Sequence, residues 1–365
     1  MRISFILPNY SVHPTGGAKV VYEYANELAS LGHAVSVIHP KVLFRSYKAA
    51  GPLRNSFRLL KDFVRYCSAG SVKNIKVSWL KLHPDVVLLS TPSAAERFIP
   101  DADVVVATLW RTAECVAKYS PRKGRRHYLV QHYEDWHGDK SRVDATWRLK
   151  LTKIVIAKWL VRKGEDLGAE DMHYVPNALD HNSFYMTANV EDRLSVVSML
   201  YSPMAWKGAD DGVAALTVAK EKHPELNAVL FGVTPRPDAL PQWIEYHQTP
   251  SAEFLRDEIY NRSAIYLCPS WSEGWGLPVS EAMACGCAIV STDNGGVSDF
   301  VVDGVNGFIV PIKDASGLAK SICNLLDNRS LRVSMANNNL HSVREFSYSE
   351  SAKKVLKIFE RQVER

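Results

Sequence analysis

A chain of 365 residues, 46% hydrophobic and 23% charged, has the composition of an ordinary globular protein, and its length favours two domains over one core. A net charge of +5 is modest, no nucleic-acid partner is expected, and no stretch approaches the ~20 apolar residues of a membrane span. The six cysteines (67, 115, 268, 285, 287 and 323) are scattered, and Cys285-Gly-Cys287 lacks the partner ligands of a zinc site, so core thiols in a reducing cytoplasm are expected.

The opening Met1-Arg-Ile-Ser-Phe-Ile-Leu-Pro8 ends too soon for a signal peptide and is expected to form a buried strand over 3–7. Gly16 and Gly17 follow in a loop. Residues 18–31 then carry apolar side chains at 20, 21, 24, 25, 28 and 31, the spacing of one helix face, and Gly32 closes that helix. Further strands are expected at 34–38, 86–89, 104–107, 128–130 and 173–175. This alternation of strand and helix argues for a parallel, doubly wound sheet. A second series begins near Leu194, with strands at 196–200, 228–231, 244–246, 265–267, 288–291 and 308–310. The spacing predicts an α/β chain of two Rossmann-like halves, 1–180 and 181–345, with a boundary near 176–185. A last helix over about 349–363, led by Ser/Glu capping residues, belongs to a closing segment, 346–365.

One insertion, 42–81, holds nine Lys/Arg and a single acid, Asp62. Arg54, Arg58, Lys61 and Arg65 fall on one helical stripe, and Leu53, Phe57, Leu60 and Val64 on another. A basic amphipathic helix at 53–65 suits an anionic membrane surface. An ordinary surface helix, packed by its apolar stripe, has the same pattern.

The densest signal is Glu273-Gly-Trp-Gly-Leu-Pro-Val-Ser-Glu281. Before it, Ala264-Ile-Tyr-Leu-Cys-Pro269 reads as a buried strand. After it, Ala282-Met-Ala-Cys-Gly286 reads as a short helix closed by glycine. A strand, a glycine loop and a helix start form the place where an open α/β sheet holds anions, because free N–H groups and the helix dipole face the ligand. Gly276 and the amides of Leu277, Val279 and Ser280 are the expected cradle; Pro278 has no N–H but suits a first helical turn. Carboxylates on both sides suit a ligand that carries phosphates and hydroxyls together, as a nucleotide sugar does. Taken singly, Glu273 reads equally as a solvated loop residue and Glu281 as a first-turn helix carboxylate.

In sequence order, the Gly16-Gly17 loop, Val175-Pro-Asn-Ala-Leu-Asp180, Trp206-Lys207-Gly208, the stretch 270–296 and the closing helix resemble family 4 (group 1) of the retaining glycosyltransferases. The resemblance spans nearly the whole chain. It implies the GT-B fold: two Rossmann-like domains facing across a cleft, acceptor side on 1–180, nucleotide-sugar side on 181–345, and the C-terminal helix crossing back to the N-terminal domain. It implies transfer of a sugar from a nucleoside diphosphate to a hydroxyl of a glycan or lipid-linked glycan, with retention, in surface polysaccharide biosynthesis. The protein would then be cytoplasmic, peripheral on the inner face of the membrane if 53–65 touches lipid.

By the same resemblance Lys207 binds the diphosphate, Glu281 accepts hydrogen bonds from the ribose, and Glu273 stands near the transferred sugar. His132, in Leu129-Val-Gln-His-Tyr-Glu-Asp135, corresponds to the cleft histidine that contacts the sugar, with Glu134 and Asp135 as weaker candidates. Gly16 and Gly17 let the chain approach the ligand closely. The arginine usually found six positions before the lysine is Tyr201 here, so one cation is missing or comes from Arg236 or Arg111. Gly295-Gly296 lines the cleft or allows a turn. Asp101-Ala-Asp103 would suit the metal motif of the other main glycosyltransferase fold, but directly before the strand 104–107 it reads as a turn. No metal and no cofactor beyond the donor are expected. Two alternatives remain: a nucleotide-sugar 2-epimerase of the same fold, and a non-catalytic glycosyltransferase-like subunit. The base, the sugar, the acceptor, the linkage and the oligomeric state are not written in any motif.

Overall fold

Two sheets account for the alternation of β-branched runs and helical patterns. The computed structural model describes residues 1–8, 10, 14–43, 64, 72–135 and 139–361. The stripe of Arg54, Arg58, Lys61 and Arg65, on which the basic helix at 53–65 rests, lies outside the described residues. The chain divides into a first unit, Met1–Asn177 with Tyr348–Arg365, and a second, Ala178–Ser347.

The first unit carries β1 (Arg2–Ile6), β2 (Ala34–Val42), β3 (Lys73–Asn74), β4 (Val86–Ser93), β5 (Val104–Ala107), β6 (Arg125–Val130), β7 (Thr152–Val155) and β8 (Met172–Tyr174). Their order in the sheet is β3-β4-β2-β1-β5-β6-β7-β8, and every neighbouring pair is parallel except β3 with β4. The second unit carries β9 (Val196–Leu200), β10 (Asn227–Gly232), β11 (Ile244–Gln248), β12 (Ile265–Cys268), β13 (Ala288–Thr292) and β14 (Gly307–Val310). Its order is β11-β10-β9-β12-β13-β14, parallel throughout. Both sheets start at a central strand, grow to one side, then resume on the other. The chain therefore reverses direction across the sheet between β1 and β5, and again between β9 and β12. At such a switch point the loops leaving the carboxyl ends of the two strands part, and a crevice opens.

Every run expected as a strand is one, with β2 and β4 running further than the patterns indicated. Two strands were not anticipated, β3 and β7. In β7 the reason is Lys153, which reads as solvent-facing but is 1% exposed. Its ammonium donates to the carbonyls of Leu149 (2.8 Å), Leu151 (2.9 Å) and Glu170 (3.0 Å). All three of its N–H bonds are thereby satisfied, which is what makes the burial tolerable.

Buried aliphatic side chains of the second sheet, among them Val197, Met199, Leu230, Ile265, Leu267 and Val290, pack against Leu216, Leu318 and Ile322 of the helices that cover it. The helix Tyr348–Glu360 packs within the first unit. There Tyr348 meets Tyr24 edge-on at 5.9 Å, and Phe359 meets His127 at 4.8 Å. No helix among the described residues is long and apolar enough to cross a membrane.

Candidate functional site

In the second unit the switch point gathers the residues that the sequence singled out. Leaving β9, the chain makes a short turn, Ala205–Lys207, and enters the helix Ala209–Lys222 through Gly208. Gly208 has φ +62°, and a Cβ there would stand 2.1 Å from the carbonyl oxygen of Pro269. Only glycine allows this loop to lie against the exit of β12. The approach is reinforced by Trp271 N–H donating to the Trp206 carbonyl at 2.7 Å, and by Trp271 Nε1 donating to Asp211 at 2.7 Å.

Lys207 consequently reaches Glu273. Its Nζ lies 2.7 Å from Glu273 Oε1, with the two side chains 24% and 12% exposed. Ser270 Oγ donates to the same oxygen at 2.8 Å, and the Glu273 N–H donates to the Asn294 carbonyl at 3.0 Å. Burial by itself lowers the lysine's pKa, but the charge and the hydrogen bond of Glu273 outweigh it, and the net shift is upward. The ammonium is therefore fixed in its charged form at the mouth of the switch point. Beside it, Leu200, Cys268, Pro269, Ser270, Glu273 and Gly276 line a pocket of about 10 Å³. That is room for about one water.

The helix Leu277–Ala284 begins at Gly276, whose φ of +96° turns the chain into the first helical turn. Here the structure narrows one expectation. The amides of Val279 and Ser280 both donate to the Gly276 carbonyl, at 2.9 and 3.2 Å. Of the three amides expected to cradle an anion, the Leu277 N–H is the one left without a partner among the described residues. Glu281 sits in the second turn of this helix, 6% exposed, and accepts a hydrogen bond from Tyr260 Oη at 3.3 Å. Gly296 packs so closely on Trp275 that a Cβ would meet its carbonyl oxygen at 2.7 Å.

The position expected to hold a second cation is occupied differently. Tyr201 lies directly after β9, its ring edge-on to Tyr246 at 6.1 Å. Arg236 does not compensate. Its guanidinium donates to the carbonyls of Ile244 (2.7 Å), Pro241 (2.9 Å) and Leu240 (3.1 Å), and so clamps its own loop. Sequence alone offered Arg236 as a free cation because the carbonyls that claim it become adjacent only when the loop closes.

In the first unit, Gly16 and Gly17 are exposed at the start of the helix Gly16–Ser30, after β1. Gln131 Nε2 donates to the Gly17 carbonyl at 3.3 Å, which ties this loop to the end of β6 and so to the neighbour of His132. The His132 Nδ1 lies 3.1 Å from the Tyr133 carbonyl, and the ring meets Trp159 edge-on at 5.5 Å. Glu134 is buried and accepts the Trp110 N–H at 3.0 Å. Burial pushes its carboxyl up to about 8, against the opposing pull of that amide and of Arg111. Asp135 is exposed. Asp101 and Asp103 are engaged by Arg122, Lys123 and Arg2 just before β5, a structural use of both. Among the described residues no group of three His, Cys, Asp or Glu is arranged to hold a metal ion.

Residues 196–341 match the sequence model of the family described as Glycosyl transferases group 1. Among curated relatives, the N,N'-diacetylbacillosaminyl-diphospho-undecaprenol alpha-1,3-N-acetylgalactosaminyltransferase of Campylobacter jejuni is 26% identical over 183 residues, 49% of this chain and 47% of that protein. The lipopolysaccharide core biosynthesis mannosyltransferase LpcC of Rhizobium leguminosarum is 30% identical over 151 residues, 38% of this chain and 42% of that one. These matches thus span less than half the length of either relative. Solved structures are similar over the whole chain. Sucrose-phosphate synthase of Thermosynechococcus elongatus superposes with TM-score 0.73 at 18% identity, covering 98% of each chain. The HepE protein of Anabaena in complex with UDP-glucose superposes with TM-score 0.73 at 15% identity, covering 98% of this chain and 99% of its own. At such identities the likeness establishes the fold: α/β with two parallel-sheet domains, as in GT-B glycosyltransferases.

Proposed function

We propose that this protein transfers a sugar from a nucleoside-diphosphate sugar to a hydroxyl of a glycan or lipid-linked glycan, with retention of configuration, in the assembly of a surface polysaccharide. The observation that carries the reading is the Lys207–Glu273 pair, 2.7 Å apart at the switch point of the sheet and inside the segment that matches the group 1 family. The match with one transferase whose name gives a diphospho-undecaprenol-linked substrate and one named for lipopolysaccharide core biosynthesis, and the UDP-glucose complex of a structural neighbour, support the donor and acceptor classes.

In the proposed reaction the bond between the sugar's C1 and the diphosphate oxygen breaks, and a bond from C1 to the acceptor oxygen forms on the same face. The acceptor's proton passes to the leaving phosphate. Lys207 meets the charge that grows on the diphosphate, and a fixed cation does this without reorganising at the moment of reaction. Leu277 N–H adds a backbone donor, Glu281 receives the ribose hydroxyls, and Glu273 faces the sugar, where a carboxylate balances developing positive charge. His132, Gly16 and Gly17 belong to the proposal as first-unit residues on which turnover depends. With Lys207 supplying the charge, the reaction calls for no metal.

A panel of nucleoside diphosphates and nucleotide sugars, read by thermal stabilisation with EDTA present and followed by product analysis with and without a glycan acceptor, tests the reading. Metal-independent binding of one donor with acceptor-dependent release of the nucleoside diphosphate supports it. An epimerised donor formed without acceptor replaces it with epimerase chemistry. The Tyr201 ring and the self-clamped Arg236 favour one second reading, a non-catalytic subunit, and absence of binding by any nucleotide would select it.

A further inference from the structure

One large cavity lined by described residues of the first unit is not at the carboxyl ends of its strands. It has a volume of about 1180 Å³ and opens at the opposite edge of the same sheet, where β1, β5, β6, β7 and β8 begin. Its lining includes Arg2, Asp103, Arg125, Thr152 and Asp171, which stand at or just before those strand starts. Gly16, Gly17 and His132 follow the other ends of β1 and β6, so this cavity is separate from the first-unit residues assigned to sugar transfer.

The lining is strongly basic, with eight lysines and arginines against three carboxylates. They come from stretches far apart in sequence: Arg2, then Arg122, Arg125 and Arg126 in one run, Arg148, Lys150 and Lys153 in another, and Arg361. The middle run is seated by Gly124, whose φ is +84° and whose Cβ would strike the Asp103 backbone at 2.3 Å. Parallel pairing of β5, β6 and β7 then brings the starts of these runs side by side.

Three of these cations are spent inside the protein, Lys153 on its three carbonyls and two arginines on carboxylates. Arg2 and Arg122 pair with Asp103 and Asp101. Arg126 Nη1 donates to the Ala117 carbonyl at 2.6 Å, Arg148 Nη1 to the Leu167 carbonyl at 3.3 Å, and Arg125 Nη1 to the Arg361 carbonyl at 3.4 Å. Among the described residues none of these three guanidinium groups meets a carboxylate, and Lys150 has no hydrogen-bond partner. Arg125 Nη2 also donates to Met1 Sδ at 3.6 Å. A guanidinium carries five N–H donors in a planar fork, so one or two acceptors each leave most of them available to oxygens in the cavity. Several forks around one large cavity match a ligand with many charged oxygens on adjacent centres, and a single carboxylate would leave most of this charge unanswered.

We propose that this cavity is a second anion site, distinct from the donor site, that takes a multiply charged phosphate group. Free polyphosphate-type ligands and the phosphate headgroups of an anionic membrane share that chemistry. The test uses the full chain, with tripolyphosphate as the soluble probe in calorimetry at low and moderate salt, and vesicles of phosphatidylglycerol in phosphatidylcholine in a sedimentation assay. Wild type is compared with Arg125→Gln/Lys150→Gln, with Arg148→Gln/Lys150→Gln as a second variant in case the first melts early, and with the donor-site variant Lys207→Ala.

Tripolyphosphate binding that falls at least tenfold in a cavity variant of unchanged melting temperature, weakens with salt, and persists in Lys207→Ala supports the proposal. Vesicle sedimentation lost in the same cavity variants makes the source a headgroup; tripolyphosphate binding without vesicle binding makes it a soluble ligand. The proposal is overturned if neither probe binds at low salt, or if binding is untouched in the cavity variants or abolished by Lys207→Ala.

Discussion

Two opposite substitutions at the Lys207–Glu273 pair separate a ligand-binding cation from a structural ion pair. The pair is partly shielded, with side chains 24% and 12% exposed and a contact of 2.7 Å. Exposed pairs contribute about 0–1 kcal/mol, while breaking a fully buried one costs about 3–5 kcal/mol, so Lys207→Ala is expected to cost about 1–3 kcal/mol of stability. Glu273 keeps the Ser270 hydroxyl as a donor, which holds the cost below the buried limit. On the diphosphate the loss is larger in consequence, because removing one preorganised donor to a developing anion lowers kcat by about 10²–10³. Glu273→Gln is the informative partner. It removes the carboxylate that holds the ammonium while keeping the side chain's size, so Lys207 is left free for phosphate. Nucleoside diphosphate should then bind as well as or better than in wild type, while turnover falls. Calorimetry with the nucleoside diphosphate and a transfer assay on both variants give the answer. If Lys207→Ala binds the nucleotide like wild type, or if both variants lose affinity equally, the pair is structural and the assignment of Lys207 is wrong. The raised lysine pKa sets the pH range. Its stabilisation is complete below the ordinary value of 10.5 and is lost only as pH climbs through the higher folded value, so the contrast between the variants should hold across neutral pH.

Glu281→Ala should weaken nucleoside-diphosphate binding by about 1.5–3 kcal/mol, since hydroxyls lose a charged acceptor; unchanged affinity by calorimetry removes the ribose role. Gly208→Ala places a Cβ 2.1 Å from the Pro269 carbonyl at a positive φ, and strain of at least about 1–3 kcal/mol should lower Tm and displace Lys207, so nucleotide affinity falls with it. Glu134, raised by burial from 4.5 to about 8, favours its protonated form in the fold. Its contribution is therefore full below about 4.5 and is lost as pH rises through about 8, so the stability of Glu134→Gln relative to wild type should increase across that window in denaturant titrations. A constant difference would show that the carboxyl does not titrate there.

Strand and helix positions were legible because they depend on local periodicity: the β-branched runs at 104–107 and 196–200, the helix face over 18–31, and the glycine before the helix Leu277–Ala284. Two Rossmann-like halves follow from that alternation, and so does the place of Glu273 and Glu281 around a helix start. The pairing of Lys207 with Glu273 was not legible, because the two are 66 positions apart and meet only when β9 and β12 lie side by side with Gly208 against Pro269. The withdrawal of Arg236 into its own loop and the burial of Lys153 in β7 were hidden for the same reason: backbone carbonyls satisfy both cations, and no side-chain pattern reports where carbonyls gather. The basic cavity is the extreme case, built from residues 2, 122–126 and 148–150, whose nearness is created by the parallel register of one sheet. Periodicity fixes which residues face inward on an element. Which elements stand next to one another is set by packing that each segment shares with the rest of the chain, and the charges meet only there.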